Sequence, residues 1–407
     1  MRLRLLARRA AVLAVCAGAA CTPSPAPIAP ATALPVVVPI EVYRHRVYLP
    51  ARIAGSDPVT LILDNGASVS GVHDSVARAL GVRQSKTAKL TGNGQAMMSI
   101  GLATDVPFDV GGATIREPLV AMLPYDEFAR HEGRLNAGVL GKDVYARFVV
   151  DIDYAAHRLT LRDPATFTYD GTGIVIPLHV SRTRDAAWMS ARITFPGLAP
   201  IDARLGLDMG TYSALRVYRP FVTAHRLSVA VPNGVTSFGF GLGGEFPVRL
   251  ARASHVTIGG LNVDRPVAEL SLADSGATAG SGVDGTIGGA ILSCFHMIVD
   301  YAHARMILEP NGQACSSSSD ADMSGLVLDA GGPGLATITV GHVVAATPAA
   351  DAGFQEGDRL VSVDGTPADS LGLLRVQTLF SQAAAYRVTI ERNGSTTDLS
   401  LRTRPLI

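Results

Sequence analysis

Short apolar runs broken by turn residues set the rhythm of the chain. Residues 59–63 form a compact apolar run with the length of one buried strand, and Asn65-Gly66 then supplies a turn. Residues 149–161 and 297–308 each read as two strands joined by a tight turn, around Ala156 and Ala302. Residues 142–148 and 290–295 have the length of one short helix each. Near the C-terminus, residues 371–382 read as a helix. Residues 386–392 and 397–401 follow as strands joined by Asn393-Gly394, a strong hairpin signal. With 42 Gly and 24 Pro among segments rich in Val, Ile, Leu and Thr, the pattern predicts a mainly β protein with few long helices.

An internal repeat organises these elements. Val38-Pro39-Ile40-Glu41-Val42 returns as Ile176-Pro177-Leu178-His179-Val180, and Ala51-Arg52-Ile53 as Ala191-Arg192-Ile193. Leu63-Asp64-Asn65-Gly66-Ala67 returns as Leu207-Asp208-Met209-Gly210-Thr211. Val110-Gly111-Gly112 matches Ile258-Gly259-Gly260, and Gly138-Val139-Leu140-Gly141 matches Gly285-Thr286-Ile287-Gly288. Asp153-Tyr154 and Asp300-Tyr301 close the series. Anchors held in this order point to a duplication that gave two similar β-rich lobes, at residues 37–170 and 171–310. A Ser-rich linker (311–323) and a third domain (324–407) follow.

Composition narrows the class. With 47% hydrophobic and 17% charged residues, the 407-residue chain can bury a sizeable core. Its 35 basic and 35 acidic residues balance, so no basic excess points to nucleic acid. Arg2, Arg4, Arg8 and Arg9 precede an apolar run at residues 10–20 that is too short to span a bilayer. Residues 1–20 therefore read as a signal peptide and 21–36 as a Pro/Ala-rich linker. The expected location is the periplasm or cell envelope, with Cys21 or Cys16 as a candidate lipid anchor and no transmembrane helix in the mature chain. Cys294 and Cys315 either pair there or stay free, and neither has zinc-finger spacing; no metal or cofactor is expected.

The paired Asp-x-Gly turns carry the candidate chemistry. If the lobes pack about a pseudo-two-fold axis, Asp64 and Asp208 share one pocket, cannot both ionise cheaply, and hold one proton between them. Such a pair can activate a water and polarise a carbonyl. Each lobe resembles the retropepsin/pepsin superfamily of aspartic proteases, through Leu61-Ile62-Leu63-Asp64-Asn65-Gly66-Ala67-Ser68 with Val139-Leu140-Gly141, and through Leu205-Gly206-Leu207-Asp208-Met209-Gly210-Thr211 with Thr286-Ile287-Gly288. The resemblance implies two β-barrel lobes in a pepsin-like bilobal unit, with Asp64 and Asp208 catalytic. Asn65, Gly66, Ala67, Met209, Gly210 and Thr211 then support the catalytic loops. It also implies hairpins closing over the cleft, with Gly92, Asn93 and Gly94 at one tip and Phe238 and Gly239 in the other. Asn65 and Met209 replace the Thr that in this family bonds across the lobes, so that network must be altered. Gly239, Gly241 and Gly244 also fit a dinucleotide fingerprint, but no helix follows and that reading is rejected.

The third domain resembles a bacterial PDZ domain, a small α+β fold, through Val343-Val344, Thr347-Pro348-Ala349-Ala350-Asp351-Ala352-Gly353-Phe354, Gly357-Asp358-Arg359-Leu360 and Val363-Asp364-Gly365. The resemblance implies capture of peptide C-termini, with Gly325 and Leu326 as the candidate carboxylate loop. Together the resemblances imply an exported aspartic endopeptidase acting on polypeptides. The alternative is an inactive peptide-binding protein that uses the PDZ-like domain and the cleft.

Overall fold

The structure, a computed structural model, describes residues 33–180, 187–231, 233–280, 282–312 and 321–407. The N-terminal segment with Cys16 and Cys21, and Cys315 in the linker, lie outside the described residues. Among the described residues, no helix is long and apolar enough to cross a membrane.

The expected mainly β architecture is present, and its symmetry follows the repeat. In the first lobe the strands run side by side as Lys86–Thr91, Met97–Ala103, Val120–Leu123, Gly71–His73, Gly138–Leu140, Val59–Leu63, Arg46–Ile53, Val106–Val110 and Ala113–Glu117, with Glu41–Tyr43 paired to Arg46–Ile53. In the second lobe the order is Val235–Gly241, Gly244–Arg252, Val267–Ser271, Leu215–Val217, Gly285–Gly288, Ile201–Asp208, Trp188–Thr194, His255–Ile258 and Leu261–Asp264. Position by position, each strand of one path has its counterpart in the other. Val59–Leu63 is buried on both faces, with Leu61 and Leu63 in the core shared by the lobes and Ile62 in a second cluster with Tyr48 and Val139, which is why it reads as a continuous apolar run.

A third sheet joins the lobes. Its order is Val36–Pro39, Arg158–Arg162, Val149–Asp153, Phe295–Asp300, Arg305–Pro310 and Ile174–Pro177, three strands from each copy. At its centre Asp151 pairs with Ile298. These two residues are separated along the chain by the same interval as the repeat anchors Asp153 and Asp300. A residue thus faces its own repeat equivalent, as a two-fold axis between the copies requires. One continuous hydrophobic core runs through both lobes.

Residues 326–402 form a separate sheet with its own core. Its order is Leu326–Gly331, Thr337–Val343, Arg359–Val363, Ala385–Arg392 and Ser395–Arg402, and helices Pro348–Ala352 and Ala368–Phe380 accompany it. Asn393 and Gly394 both adopt positive φ, 52° and 77°, the condition for the tight turn that their sequence predicts. The helix expected at 371–382 begins earlier and is broken at Gly372, where φ is 72°.

Candidate active site

Each candidate aspartate terminates a strand that pairs in parallel with its lobe's apolar-Gly strand. Leu61, Ile62 and Leu63 pair with Gly138, Val139 and Leu140. The Asp64 amide then donates to the Leu140 carbonyl at 2.9 Å. In the second lobe Leu207 and Asp208 pair with Ile287 and Gly288. The turns are anchored alike, with Lys142 N–H donating to Ala67 O at 2.8 Å and Gly289 N–H to Thr211 O at 2.9 Å. Rigid strands thus deliver both carboxyl groups to fixed points.

Those points coincide. Asp64 Oδ1 accepts the Gly66 amide of its own turn at 2.7 Å and the Gly210 amide of the opposite turn at 3.1 Å. A Cβ placed on Gly66 would stand 2.9 Å from Asp208 Oδ1 and 3.0 Å from Asp64 Oδ1. The two oxygens are therefore within about 6 Å of each other, the range in which like charges shift each other's titration. On Gly210 a Cβ would come within 2.2 Å of Asp64 Oδ2. Both turns need glycine so that backbone and carboxylates can meet this closely.

The turns are bridged across the lobes through Asn65 and Met209. Asn65, 1% exposed, accepts the Met209 amide on Oδ1 at 3.0 Å and donates from Nδ2 to the Tyr301 hydroxyl at 3.2 Å. Tyr145 donates its hydroxyl to Met209 Sδ at 2.9 Å, and its ring centroid lies 5.6 Å from that of Tyr301. One amide side chain and two tyrosines do the bridging, with the Met209 thioether serving as an acceptor.

Burial and the neighbouring carboxylate push the Asp64 carboxyl up to about 7. Burial also raises Asp208, opposed by the cations Arg216 and Arg46. Arg216 lies beneath the Asp208 turn, its Nε 2.7 Å from Glu269 Oε2. Ser213 Oγ donates to Glu269 Oε1 at 2.5 Å. Thr211 Oγ1 engages Ser213 and Arg216. Arg46, also buried, donates from Nε to the Gly210 carbonyl at 2.7 Å and pairs with Glu132 on helix Asp126–Glu132. Sequence reading missed Arg46, Arg216, Glu269, Tyr145 and helix Asp126–Glu132. The helix did carry a signal: Asp126 and Glu127 in its first turn, Arg130 and His131 in its last, and Gly133 after it.

Gly92, Asn93 and Gly94 follow strand Lys86–Thr91 at the tip of the first-lobe hairpin, whereas Phe238 and Gly239 lie within strand Val235–Gly241, short of its turn at Leu242-Gly243. The tips meet: Gly94 N–H donates to Leu242 O and Ala96 N–H to Gly243 O, both at 3.0 Å. Gly239, Gly241 and Gly244 thus belong to a β-hairpin. Cys294 is disulfide-bonded, while its proposed partner Cys315 lies outside the described residues. The Gly325 amide donates to Asp322 Oδ2 at 2.5 Å and the Leu326 amide to Ser324 Oγ at 3.0 Å. No group of three or more His, Cys, Asp or Glu side chains among the described residues is arranged to hold a metal ion.

Residues 49–144 match the aspartyl protease family, a span that holds Asp64 and its parallel partner strand. Residues 339–391 match the PDZ domain. No curated protein matches the chain.

Proposed function

We propose that this chain, which carries an aspartyl protease domain and a PDZ domain, is an endopeptidase of the cell envelope that hydrolyses peptide bonds through a water activated between Asp64 and Asp208. One observation carries the reading: two Asp-x-Gly turns, one from each lobe, bring both carboxylates to the same side of Gly66, each with an oxygen about 3 Å from where a Cβ on it would stand. A single protein chain supplies the whole pair. With one shared proton, the cations Arg216 and Arg46 favour the negative charge on Asp208. Asp208 then takes a proton from the attacking water, while protonated Asp64 hydrogen-bonds the scissile carbonyl oxygen and neutralises the charge that develops there. The water oxygen bonds to the carbonyl carbon to give a tetrahedral diol. Collapse breaks the C–N bond as the proton held by Asp208 passes to the leaving nitrogen and Asp64 recovers its own.

Activity on this scheme is bell-shaped in pH. Its alkaline limb lies near 7, where Asp64 loses its proton, and its acid limb above 3.8, the ordinary carboxyl value from which Asp208 is raised. The bridge through Asn65, Met209, Tyr145 and Tyr301 supports a working site over an idle one, since it steadies both turns without the family's Thr. The Arg-rich start with its apolar run and the disulfide at Cys294 support export to an oxidising compartment. The PDZ domain fits a polypeptide partner presenting its C-terminus. Digestion of a peptide library tests the activity. Wild type should cleave internal bonds, and Asp64→Asn and Asp208→Asn should each be folded and inert. Hydrolysis surviving in both variants would end the proposal.

A further inference from the structure

The C-terminal domain is docked on the protease unit. Strand Leu326–Gly331 is the edge of its sheet, bonded among the described residues only to Thr337–Val343. A ligand that adds as a strand must lie along such an edge. Helix Asp126–Glu132 of the first lobe packs there instead. Asp329, in the middle of the edge strand, meets His131 Nδ1 at 2.5 Å and Arg130 at 3.8 Å. Just past the helix, Gly133 abuts helix Ala368–Phe380: a Cβ there would be 2.8 Å from Leu373 Cβ. The first lobe thus reaches from the edge strand to a helix of the C-terminal domain.

A second attachment grips the hairpin of the other lobe. His342 stacks on Phe238, with centroids 4.1 Å apart and planes 22° from parallel. Its Nε2 is 2.8 Å from Glu245 and its Nδ1 3.0 Å from Glu356. The ring of His131 lies 3.8 Å from that of Phe240 on the same hairpin. This hairpin's tip is the one bonded to the first-lobe hairpin. The docked helix also ends on Glu132, the partner of Arg46, which bonds the Gly210 carbonyl in the Asp208 turn. Finally, the amides suited to a ligand carboxylate, Gly325 and Leu326, are occupied by Asp322 and Ser324.

We propose that the edge of the PDZ domain is held by the chain's own first lobe, and that a peptide C-terminus binds there by displacing helix Asp126–Glu132 from the strand and Asp322 from the Gly325 amide, which frees the second-lobe hairpin. The inference rests on the proposed function for its consequence, regulated access to the Asp64–Asp208 site. Peptide binding itself is read without any hydrolysis. Because only the undocked fraction accepts peptide, docking weakens the apparent affinity by that fraction.

The test uses the full chain and a fluorescent decapeptide with a free apolar C-terminus, beside its C-terminally amidated twin. Asp329→Lys sets a cation against Arg130 and His131, and His131→Glu sets an anion against Asp329, so the same contact is broken from either side should one variant fold poorly. Each should bind the free-carboxylate peptide at least about tenfold tighter than wild type. The Asp329→Lys/His131→Glu pair should return towards wild type, and the amidated peptide should bind more weakly throughout. In wild type, saturating peptide should speed amide exchange at residues 126–132 and 235–252. Equal affinity in wild type and both single variants would overturn the proposal, as would exchange that ignores the peptide. If no variant binds peptide, the edge is a permanent dock and the competition is refuted.

Discussion

Asp64→Asn should make the fold more stable, increasingly so as pH rises. The Asp64 carboxyl is raised from 3.8 to about 7. Between those values the native protein holds a proton that the unfolded chain has released, so this group's contribution to stability falls as pH climbs through the window. A shift of roughly three units corresponds to about 4 kcal/mol, and solvent access to half-buried Asp64 together with the charge shared with Asp208 reduces it to about 2–3 kcal/mol. Asparagine keeps an Oδ1 to accept the Gly66 and Gly210 amides, so the turn geometry survives. The advantage of the variant should therefore grow by about 2–3 kcal/mol from pH 4.5 to pH 8. Urea unfolding followed through Trp188, the only tryptophan, reports the lobes without signal from the PDZ domain. Glu117, raised to about 9 by burial and Asp143, titrates in both proteins and cancels in the difference. An advantage that stays constant or shrinks as pH rises would refute the reasoning.

Asn65→Ala would strand the buried Met209 amide and remove the partner of Tyr301; it should cost about 2–4 kcal/mol in the same urea assay and lower kcat, with a loss below about 0.5 kcal/mol counting against the bridge. Replacing Arg46 and Glu132 together, as Arg46→Met/Glu132→Gln, removes a cation from the pair and leaves no lone buried charge. The alkaline limb of the pH–rate profile should then move above its wild-type position near 7, whereas a purely structural role would lower activity without moving the limb.

Much of this architecture was legible because the chain repeats itself. Leu63-Asp64-Asn65-Gly66 and Leu207-Asp208-Met209-Gly210 read as equivalent turns. Equivalence about a two-fold axis is a geometric statement, and it brings the two aspartates together. The sheet joining the lobes was half legible: its hairpins follow from the apolar runs, but the pairing of Val149–Asp153 with Phe295–Asp300 depends on how the lobes dock. The repeat also hid what breaks it. Arg46 has no basic counterpart in the second copy, where the Ala51–Ala191 anchor aligns it with Ala186, so comparing the copies could not bring it forward. An Asn side chain such as Asn65 can both donate and accept, yet its partner Tyr301 is remote in sequence. The amides of Gly325 and Leu326 suited a carboxylate by position, and only three-dimensional placement put Asp322 and Ser324 on them. The docking of Asp329 and His342 on the lobes joins surfaces that no local pattern marks.

The central claim, that Asp64 and Asp208 act as one site with one proton, is tested most directly by calorimetric binding of a peptide whose scissile carbonyl is replaced by a hydroxyl-bearing tetrahedral carbon. Such a ligand resembles the diol and should place its hydroxyl between the two carboxylates. The account predicts one ligand per chain, proton uptake on binding above pH 7, where the free pair has lost its proton, and at least about 100-fold weaker binding in both Asp64→Asn and Asp208→Asn. Binding that both variants retain at full strength, with no proton taken up, would contradict it.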